Sequence, residues 1–125
     1  MVRPLPRCQL LHWHRGSGLT MIPYSSQANG YFGAENAAWA KGGFPSDPPR
    51  AKSFDSPVNR QRLQRAIALA EQKGCTANQI ALAYLLGQPF PIFPIIGTSN
   101  PAHAQEALGA VSVTLTPTEM AGLVA

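Results

Sequence analysis

The fold is decided by one stretch of the chain, Pro94-Ile95-Ile96-Gly97-Thr98-Ser99-Asn100-Pro101-Ala102-His103-Ala104-Gln105-Glu106. The apolar run 91–96 ends at a glycine, and three small polar residues follow. Asn100 and Pro101 are typical of a helix N-cap and the first helical residue. This order predicts a strand, a tight turn and a helix, whose N-terminal N–H groups and dipole favour a phosphate. Most such junctions bind no ligand, and the spacing by itself leaves both interpretations open.

A second stretch has the same organisation. Residues 19–24, Leu-Thr-Met-Ile-Pro-Tyr, are a short apolar run that predicts a strand, and Pro23 marks its end because proline cannot donate to a sheet ladder. The loop that follows is polar and punctuated by glycine. The ring of Tyr24 suits a planar ligand, with the hydroxyls of Ser25 and Ser26 beyond it for phosphates. The alternative is that Tyr24 covers the core beside a plain polar loop.

Helix-start signals recur through the rest of the chain. Ser56 and Pro57 open a helix that stops at Gly74, with apolar residues at helical spacing. Capping boxes over 76–79 and 116–119 open two further helices. The core positions predicted on the first of these helices are Val58, Leu63, Ala66, Ile67 and Ala70.

Three segments carry weaker signals. Residues 111–115 alternate as a strand would. Residues 34–55 are rich in Gly, Pro, Ala and Ser and predict a long loop with one helical turn over 35–40. Residues 1–18 predict little organisation apart from a helix around Trp13.

Composition excludes several classes of function. The chain has 125 residues and a formal net charge of +4, but its lysines and arginines are scattered over residues 3–73 without interleaved aromatics, so we expect no nucleic-acid partner. No apolar run is long enough for a signal peptide or a membrane span, and the two cysteines form no metal-spaced pair. His12 and His14 lack a third ligand, so no metal site is predicted. We expect a cytoplasmic protein with no membrane partner.

The two stretches resemble the cofactor-binding segments of the aldo-keto reductases, NADP-dependent (β/α)8 enzymes that reduce carbonyl groups. Residues 95–106 are similar to the last barrel strand and its helix, and residues 23–32 to the seventh-strand loop. The resemblance covers about residues 11–125, with residues 1–10 as an unmatched N-terminal segment. It implies an α/β fold that is the C-terminal portion of a TIM barrel, about the last two strands with their helices.

The resemblance also implies the roles of individual residues. Tyr24 would stack on the nicotinamide, the next three residues would contact the pyrophosphate, and residues 95–106 would hold the adenosine 2'-phosphate and adenine. The implied cofactor-binding residues are Tyr24, Ser25, Ser26, Gln27, Gly97, Thr98, Ser99, Asn100, His103 and Glu106. Arg is common in the family where this chain has His103, and Asn is common where it has Ala107. Membership of the family implies NADP(H), and the absence of Arg at position 103 leaves NAD(H) as the alternative.

The resemblance supplies no catalytic residue. In the family a Tyr donates the proton, helped by Lys, Asp and His, and all four lie on the first half of the barrel. A full barrel has roughly 250 residues, so we expect this chain to be a fragment that lacks the tetrad and binds cofactor weakly or not at all when alone. Its carbonyl substrate would bind only in a complete barrel. The alternative is a stand-alone nucleotide-binding or interaction module that self-associates through exposed strand edges.

Overall fold

The computed structural model describes residues 7–33 and 53–125. The predicted helical turn over 35–40 lies outside these residues. The described parts contain five α-helices, two complete 3-10 turns and 3-10 geometry at residues 53–54. The helices are α1 (Arg7–Ser17), α2 (Pro57–Lys73), α3 (Ala77–Leu86), α4 (Pro101–Leu108) and α5 (Pro117–Val124), and the 3-10 turns are Ala28–Gly30 and Gly109–Ser112.

The helix boundaries follow from caps that are local in sequence. The Ser56 hydroxyl accepts from the backbone N–H of Asn59 at 3.1 Å, and Gly74 ends α2 with a φ of 66°. A left-handed φ of this kind suits glycine, because glycine has no Cβ. Capping boxes open α3 at Thr76 and α5 at Thr116, and the Asn100 side chain caps α4. All four predicted helix starts are confirmed.

Two extended segments, 19–24 and 91–96, lie side by side in parallel. They form one isolated bridge between Met21 and Ile92, and no regular strand occurs within 7–33 or 53–125. Three backbone hydrogen bonds join them: Met21 N to Pro91 O at 2.9 Å, Phe93 N to Met21 O at 2.9 Å, and Ile95 N to Pro23 O at 3.0 Å. The two predicted strands are therefore present only as a short parallel pair. Pro23, Pro91 and Pro94 have no N–H to extend the ladder.

The buried core lies between α2 and α3 and continues to the neighbouring helices. Ala66 and Ala70 of α2 pack with Ile80 of α3 and Leu123 of α5 in one cluster. A second cluster joins Leu82 to Ala107 and Ala110, with Ile96 packed against it. The short extended pair is thereby attached to the helices through its second segment.

The structure corrects three predictions. First, α1 begins at Arg7, so residues 7–17 are more ordered than the proline- and arginine-rich sequence indicated. The His14 ring stacks on Phe90 with centroids 5.5 Å apart, and its Nδ1 is 2.9 Å from the carbonyl oxygen of Leu19. These tertiary contacts stabilise a helix with no acidic residue in its first turn. The division of the chain at residue 10 stays a prediction.

Second, the strand predicted over 111–115 is wrong. The chain forms a 3-10 turn over Gly109–Ser112 instead, because Ala110 is buried against Leu82 and Ala107. Val113 N then donates to Ala110 O at 3.1 Å, and Val111 is exposed. Residue types alternate over 111–115 as in a strand, but no strand in the described part of the chain lies beside this segment to pair with it.

Third, Val58 is exposed although it shares the helical spacing of the core positions. It lies in the first turn of α2, and the buried residues of this helix begin at Leu63. The other predicted positions are confirmed, since Leu63, Ala66 and Ala70 are buried and Ile67 packs against them.

Candidate functional site

A cavity of about 490 Å³ lies between the loop after Tyr24 and the turn that leads into α4. Seven of the ten predicted cofactor-binding residues line it: Ser25, Ser26, Gln27, Gly97, Thr98, His103 and Glu106. These residues come from the two stretches that the sequence singled out. The tertiary structure thus brings both stretches to one polar cavity.

The other three predicted residues do not line this cavity. Tyr24 is 82% exposed and borders a second, more apolar cavity of about 300 Å³ with Tyr84 and Leu85. Ser99 is exposed, and the Asn100 Oδ1 accepts from the backbone N–H of Ala102 at 2.9 Å as the cap of α4. The Asn100 side chain therefore caps the N-terminus of α4.

The first wall of the cavity is a tightly turned loop. Ser25, Ala28 and Asn29 all have positive φ, between 49° and 53°, and Gly30 has a φ of 86°. A left-handed backbone at a residue other than glycine costs about 1–3 kcal/mol, and such strain concentrates at functional sites. Hydrogen bonds from Ala28 N to Ser25 O at 2.8 Å and from Gly30 N to Gln27 O at 2.9 Å hold the turns.

This loop is anchored to α2 by Tyr31. The Tyr31 side chain is fully buried, and its hydroxyl donates to Asp55 Oδ1 at 3.2 Å. Arg60 holds the same carboxylate with two hydrogen bonds, at 2.9 Å and 2.7 Å. Burial, with the neighbouring Asp55 carboxylate, raises the pKa of Tyr31 to about 12. The Arg60 guanidinium is thereby paired with Asp55.

The second wall is formed by the turn before α4 and by Glu106 within that helix. Thr98 Oγ1 accepts from the backbone N–H of Asn100 at 3.1 Å and so shapes the turn. The Glu106 carboxylate accepts from the Thr76 hydroxyl and, at 2.8 Å, from Asn78 Nδ2. Gln79 Nε2 donates to the Glu106 carbonyl oxygen at 2.7 Å. The first turn of α3 therefore holds Glu106 through three side chains.

Asn78 is a lining residue that the sequence analysis missed. It was considered only as part of the capping box over 76–79, whereas the structure buries its side chain to 5% exposure. Its Oδ1 has no hydrogen-bond partner although the atom is buried. The signal that could have found it is a polar amide beside the core residue Ile80 on a short apolar helix. Asn29, Gly30, Gly33 and Ile95 also line the cavity without having been predicted.

The charge of the cavity is low. Glu106 and His103 carry the ionisable side chains among the described lining residues, and neither Lys nor Arg is among them. The Ser26 hydroxyl donates to a carbonyl oxygen, and Glu106 accepts from Thr76 and Asn78, so no base activates a nucleophile here. Within 7–33 and 53–125, no three His, Cys, Asp or Glu side chains are grouped as a metal site would need. The arrangement suits the binding of a polar ligand.

The family model described as the aldo/keto reductase family matches residues 1–125. The chain belongs to the aldo/keto reductase family. The resemblance of the two stretches is thereby confirmed at the level of the family. In the part of this aldo/keto reductase that the structure describes, no helix is both long and apolar enough to cross a membrane.

A solved structure of a thermostable aldo-keto reductase, Tm1743, in complex with the inhibitor epalrestat is similar in fold, with a TM-score of 0.65 and 23% sequence identity. The match covers 94% of this chain and 33% of that one. This aldo/keto reductase chain thus spans about a third of the length of that structure. At 23% sequence identity the structural similarity shows the fold of this chain and no more, and that fold is part of a TIM barrel.

Proposed function

We propose that this chain supplies the nicotinamide-cofactor site of an aldo/keto reductase. The observation that carries the proposal is that both stretches, each an apolar run followed by polar residues, line one cavity. They are joined there by a hydrogen bond of 2.6 Å from Ser26 Oγ to Ile95 O, two residues that are 69 positions apart in the sequence. NADP(H) is the proposed cofactor and NAD(H) the alternative. We also propose that the segments 19–24 and 91–96 correspond to the last two strands of the (β/α)8 barrel.

The lining residues fit a dinucleotide. The Ser25 hydroxyl is a donor of the kind that holds phosphate oxygens, whereas Ser26 and Thr98 would have to give up their hydrogen bonds to Ile95 O and Asn100 O to do the same. The exposed ring of Tyr24 is free to stack on a planar ring. Glu106 offers acceptor oxygens for amino or hydroxyl groups. The buried, unpartnered Oδ1 of Asn78 marks a polar site that the protein alone does not satisfy.

The chain is proposed to contribute cofactor binding and not the proton-donating groups. When bound in a complete barrel, the reduced cofactor supplies a hydride to the carbonyl carbon of an aldehyde or ketone. The described cavity offers no residue that an adjacent base activates, so the catalytic tetrad of the family is assigned to other parts of the barrel. The chain alone is then inactive as a reductase.

The choice between the two cofactors depends on the 2'-phosphate. Arg matches phosphate oxygens with two parallel N–H groups and is always charged, whereas the imidazole ring of His offers no such fork. His103 is the lining residue available for this task in the described chain. The expected preference for NADP(H) over NAD(H) is therefore small. A cytoplasmic location stays a prediction from the sequence.

The proposal is tested by adding NADPH to the isotopically labelled chain and recording amide resonances, because this measurement detects weak binding. The resonances of Ser25, Ser26, Thr98 and His103 are expected to shift with concentration. Those at the C-terminal end of α2, such as Gln72, are expected to stay in place because Gln72 is exposed and lines neither cavity. No shift at the cavity, or equal shifts at Gln72, would overturn the proposal.

An interaction module is the second candidate function, and the apolar surface of the extended pair favours it. Ile22 is 63% exposed and Phe93 66% exposed, although parallel sheets are normally covered on both faces. A second copy of the chain would cover these side chains. Sedimentation at increasing concentration is expected to show a dimer that the substitution Phe93→Glu weakens, and a monomer at all concentrations would contradict this candidate.

A further inference from the structure

The second cavity, which we call the apolar cavity, has a volume of about 300 Å³ and lies between the loop after Tyr24 and helices α2, α3 and α5. Its aliphatic lining includes Ala66, Ile80 and Leu123, which belong to one buried cluster. Aromatic side chains form much of the rest of the described wall, and they include those of Tyr24, Phe32, Phe54 and Tyr84. This lining favours an apolar, planar ligand, because aromatic rings stack on flat molecules.

Polar side chains at the apolar cavity bond to other groups of the protein. The Tyr31 hydroxyl donates to Asp55 Oδ1 at 3.2 Å. Asn59 Nδ2 donates to the Phe54 carbonyl oxygen at 2.7 Å, and Arg62 Nη1 donates to Asn59 Oδ1 at 3.1 Å. A charged ligand would lose its hydration on entering an apolar cavity, and these side chains already use hydrogen bonds within the protein. The cavity therefore favours a neutral ligand.

The volume of the apolar cavity limits the size of this ligand. An apolar cavity of about 150 Å³ in a protein core holds one benzene ring. The volume of about 300 Å³ observed in this chain is about twice that figure. The cavity is thus suited to a planar molecule of two fused rings.

The apolar cavity shares a wall with the cavity of about 490 Å³, which we call the polar cavity. Ser25 and Ser26 line both cavities, and the Ser26 hydroxyl donates to Ile95 O at 2.6 Å. The neighbouring Tyr24 borders the apolar cavity, and its side chain is 82% exposed, so few contacts within the described chain fix its ring. A flat ligand stacked on Tyr24 from the apolar cavity would fix this ring and the wall that follows it.

We propose that the apolar cavity binds a neutral aromatic molecule of two fused rings, and that its occupation strengthens cofactor binding in the polar cavity. The binding site itself is independent of the proposed function. The coupling rests on the proposed function, because Tyr24 is the proposed stacking partner of the nicotinamide. A ligand that has already ordered Tyr24 removes part of the ordering cost of the second ligand.

The site is tested with indole, a neutral molecule of two fused rings, added to the isotopically labelled chain. The amide resonances of Ala81, Tyr84 and Leu123 are expected to shift and to saturate, with a dissociation constant of about 1 mM or lower. That of Gln72 is expected to stay in place, since Gln72 is exposed and lines neither cavity. Indole-3-acetate has the same rings with a carboxylate and is expected to bind at least about fivefold more weakly.

A variant that fills the cavity tests the location of the site. Ala81→Leu adds three carbon atoms to the cavity wall and is expected to abolish the indole shifts, while NADPH affinity without indole is retained. Ala68→Leu is the matched control, because Ala68 is an exposed residue of α2 that lines neither cavity. It should leave indole binding unchanged. The comparison of indole with indole-3-acetate on the unmodified chain does not depend on whether Ala81→Leu folds.

The coupling is measured as the dissociation constant of NADPH with and without saturating indole. Indole is expected to strengthen NADPH binding about fivefold in the unmodified chain and in Ala68→Leu. It should have no effect on NADPH binding in Ala81→Leu. NADPH should strengthen indole binding by the same factor, because the coupling free energy of two ligands is reciprocal.

The outcomes separate this inference from the proposed function. An absence of saturable indole shifts, or tighter binding of indole-3-acetate than of indole, would overturn the proposed site. Equal NADPH affinity with and without indole would overturn the coupling. If the chain binds indole but not NADPH, the proposed function is wrong and the coupling fails with it, whereas the apolar binding site stands.

Discussion

The hydroxyl of Ser26 donates a hydrogen bond of 2.6 Å to the carbonyl oxygen of Ile95. These residues are 69 positions apart, and each lies where one of the two stretches turns from its extended segment toward the cavity. The bond continues the contact between the extended segments beyond the hydrogen bond of Ile95 N to Pro23 O at 3.0 Å. It joins the two walls of the cavity, since Ser26 and Ile95 both line it.

Removal of the Ser26 hydroxyl should weaken the contact between the two walls of the cavity. Ser26→Ala leaves the Ile95 carbonyl without its donor and is expected to lower the free energy of unfolding by about 1 kcal/mol, with a weaker NADPH affinity. Urea unfolding and the resonance titration measure the two effects. The control is Ser112→Ala, because Ser112 is exposed, does not line the cavity and is not among the implied cofactor-binding residues. Equal behaviour of both variants would contradict a role for Ser26.

The cofactor preference should respond to charge at His103. His103→Arg introduces a permanent positive charge with paired N–H donors into the cavity wall, and it is expected to strengthen NADPH binding about tenfold relative to NADH. The gain should shrink at high salt because it is electrostatic. Gln105→Arg is the control, since it adds the same charge to α4 at an exposed position that does not line the cavity. Equal or weaker NADPH binding by His103→Arg would refute the assigned role.

Tyr31 should give the chain a specific response to alkali. Its pKa is raised to about 12 by burial and by the Asp55 carboxylate, so the folded state holds this proton more tightly than the unfolded state does. The corresponding stability is complete below pH about 10 and is lost as the pH rises toward 12.

The measurement is the tyrosinate absorbance in a pH titration of the folded chain. A step near pH 12 is expected, and Tyr31→Phe should remove it. This variant also deletes the hydrogen bond to Asp55 Oδ1, but the two hydrogen bonds from Arg60 still hold that carboxylate. A step near pH 12 that survives in Tyr31→Phe would assign it to another residue.

Gly109 should be intolerant of a side chain for a specific reason. A Cβ at this position would overlap Gln79 Nε2, which donates to Glu106 O at 2.7 Å, while Gln79 Oε1 accepts from Thr76 N at 3.0 Å. Gly109→Ala therefore displaces a side chain that joins α3 to α4. We expect it to lower the free energy of unfolding by about 1–2 kcal/mol.

The control for this prediction is Gly122→Ala in α5. A Cβ at Gly122 would meet no atom within 4 Å, so the better helix propensity of alanine is expected to stabilise the chain by up to about 1 kcal/mol. Urea unfolding of both variants gives the comparison. A stabilising effect of Gly109→Ala would show that Gln79 moves aside without loss.

Most of the helical structure could be predicted because its determinants are adjacent in the chain. The caps at Ser56, Thr76, Asn100 and Thr116 each satisfy backbone N–H groups within three residues, and the structure forms all four. Seven of the twelve residues that line the cavity were implied by the resemblance of two stretches to the aldo-keto reductases. The segment before Trp13 was predicted to have little organisation, but the helix α1 begins at Arg7. The sequence pattern did not show this because α1 depends on the contact of His14 with Phe90, which is distant in sequence.

By itself the sequence determined where four of the five α-helices begin, and which two stretches carry polar residues after apolar runs, because caps, turns and alternation depend on neighbouring residues. Only the tertiary structure decided that 111–115 forms no strand, that Asn100 caps α4 without lining the cavity, and that Asn78 reaches Glu106 28 positions away. Pairing partners and burial are set by residues distant in sequence, and a local pattern carries no information about which of them will meet.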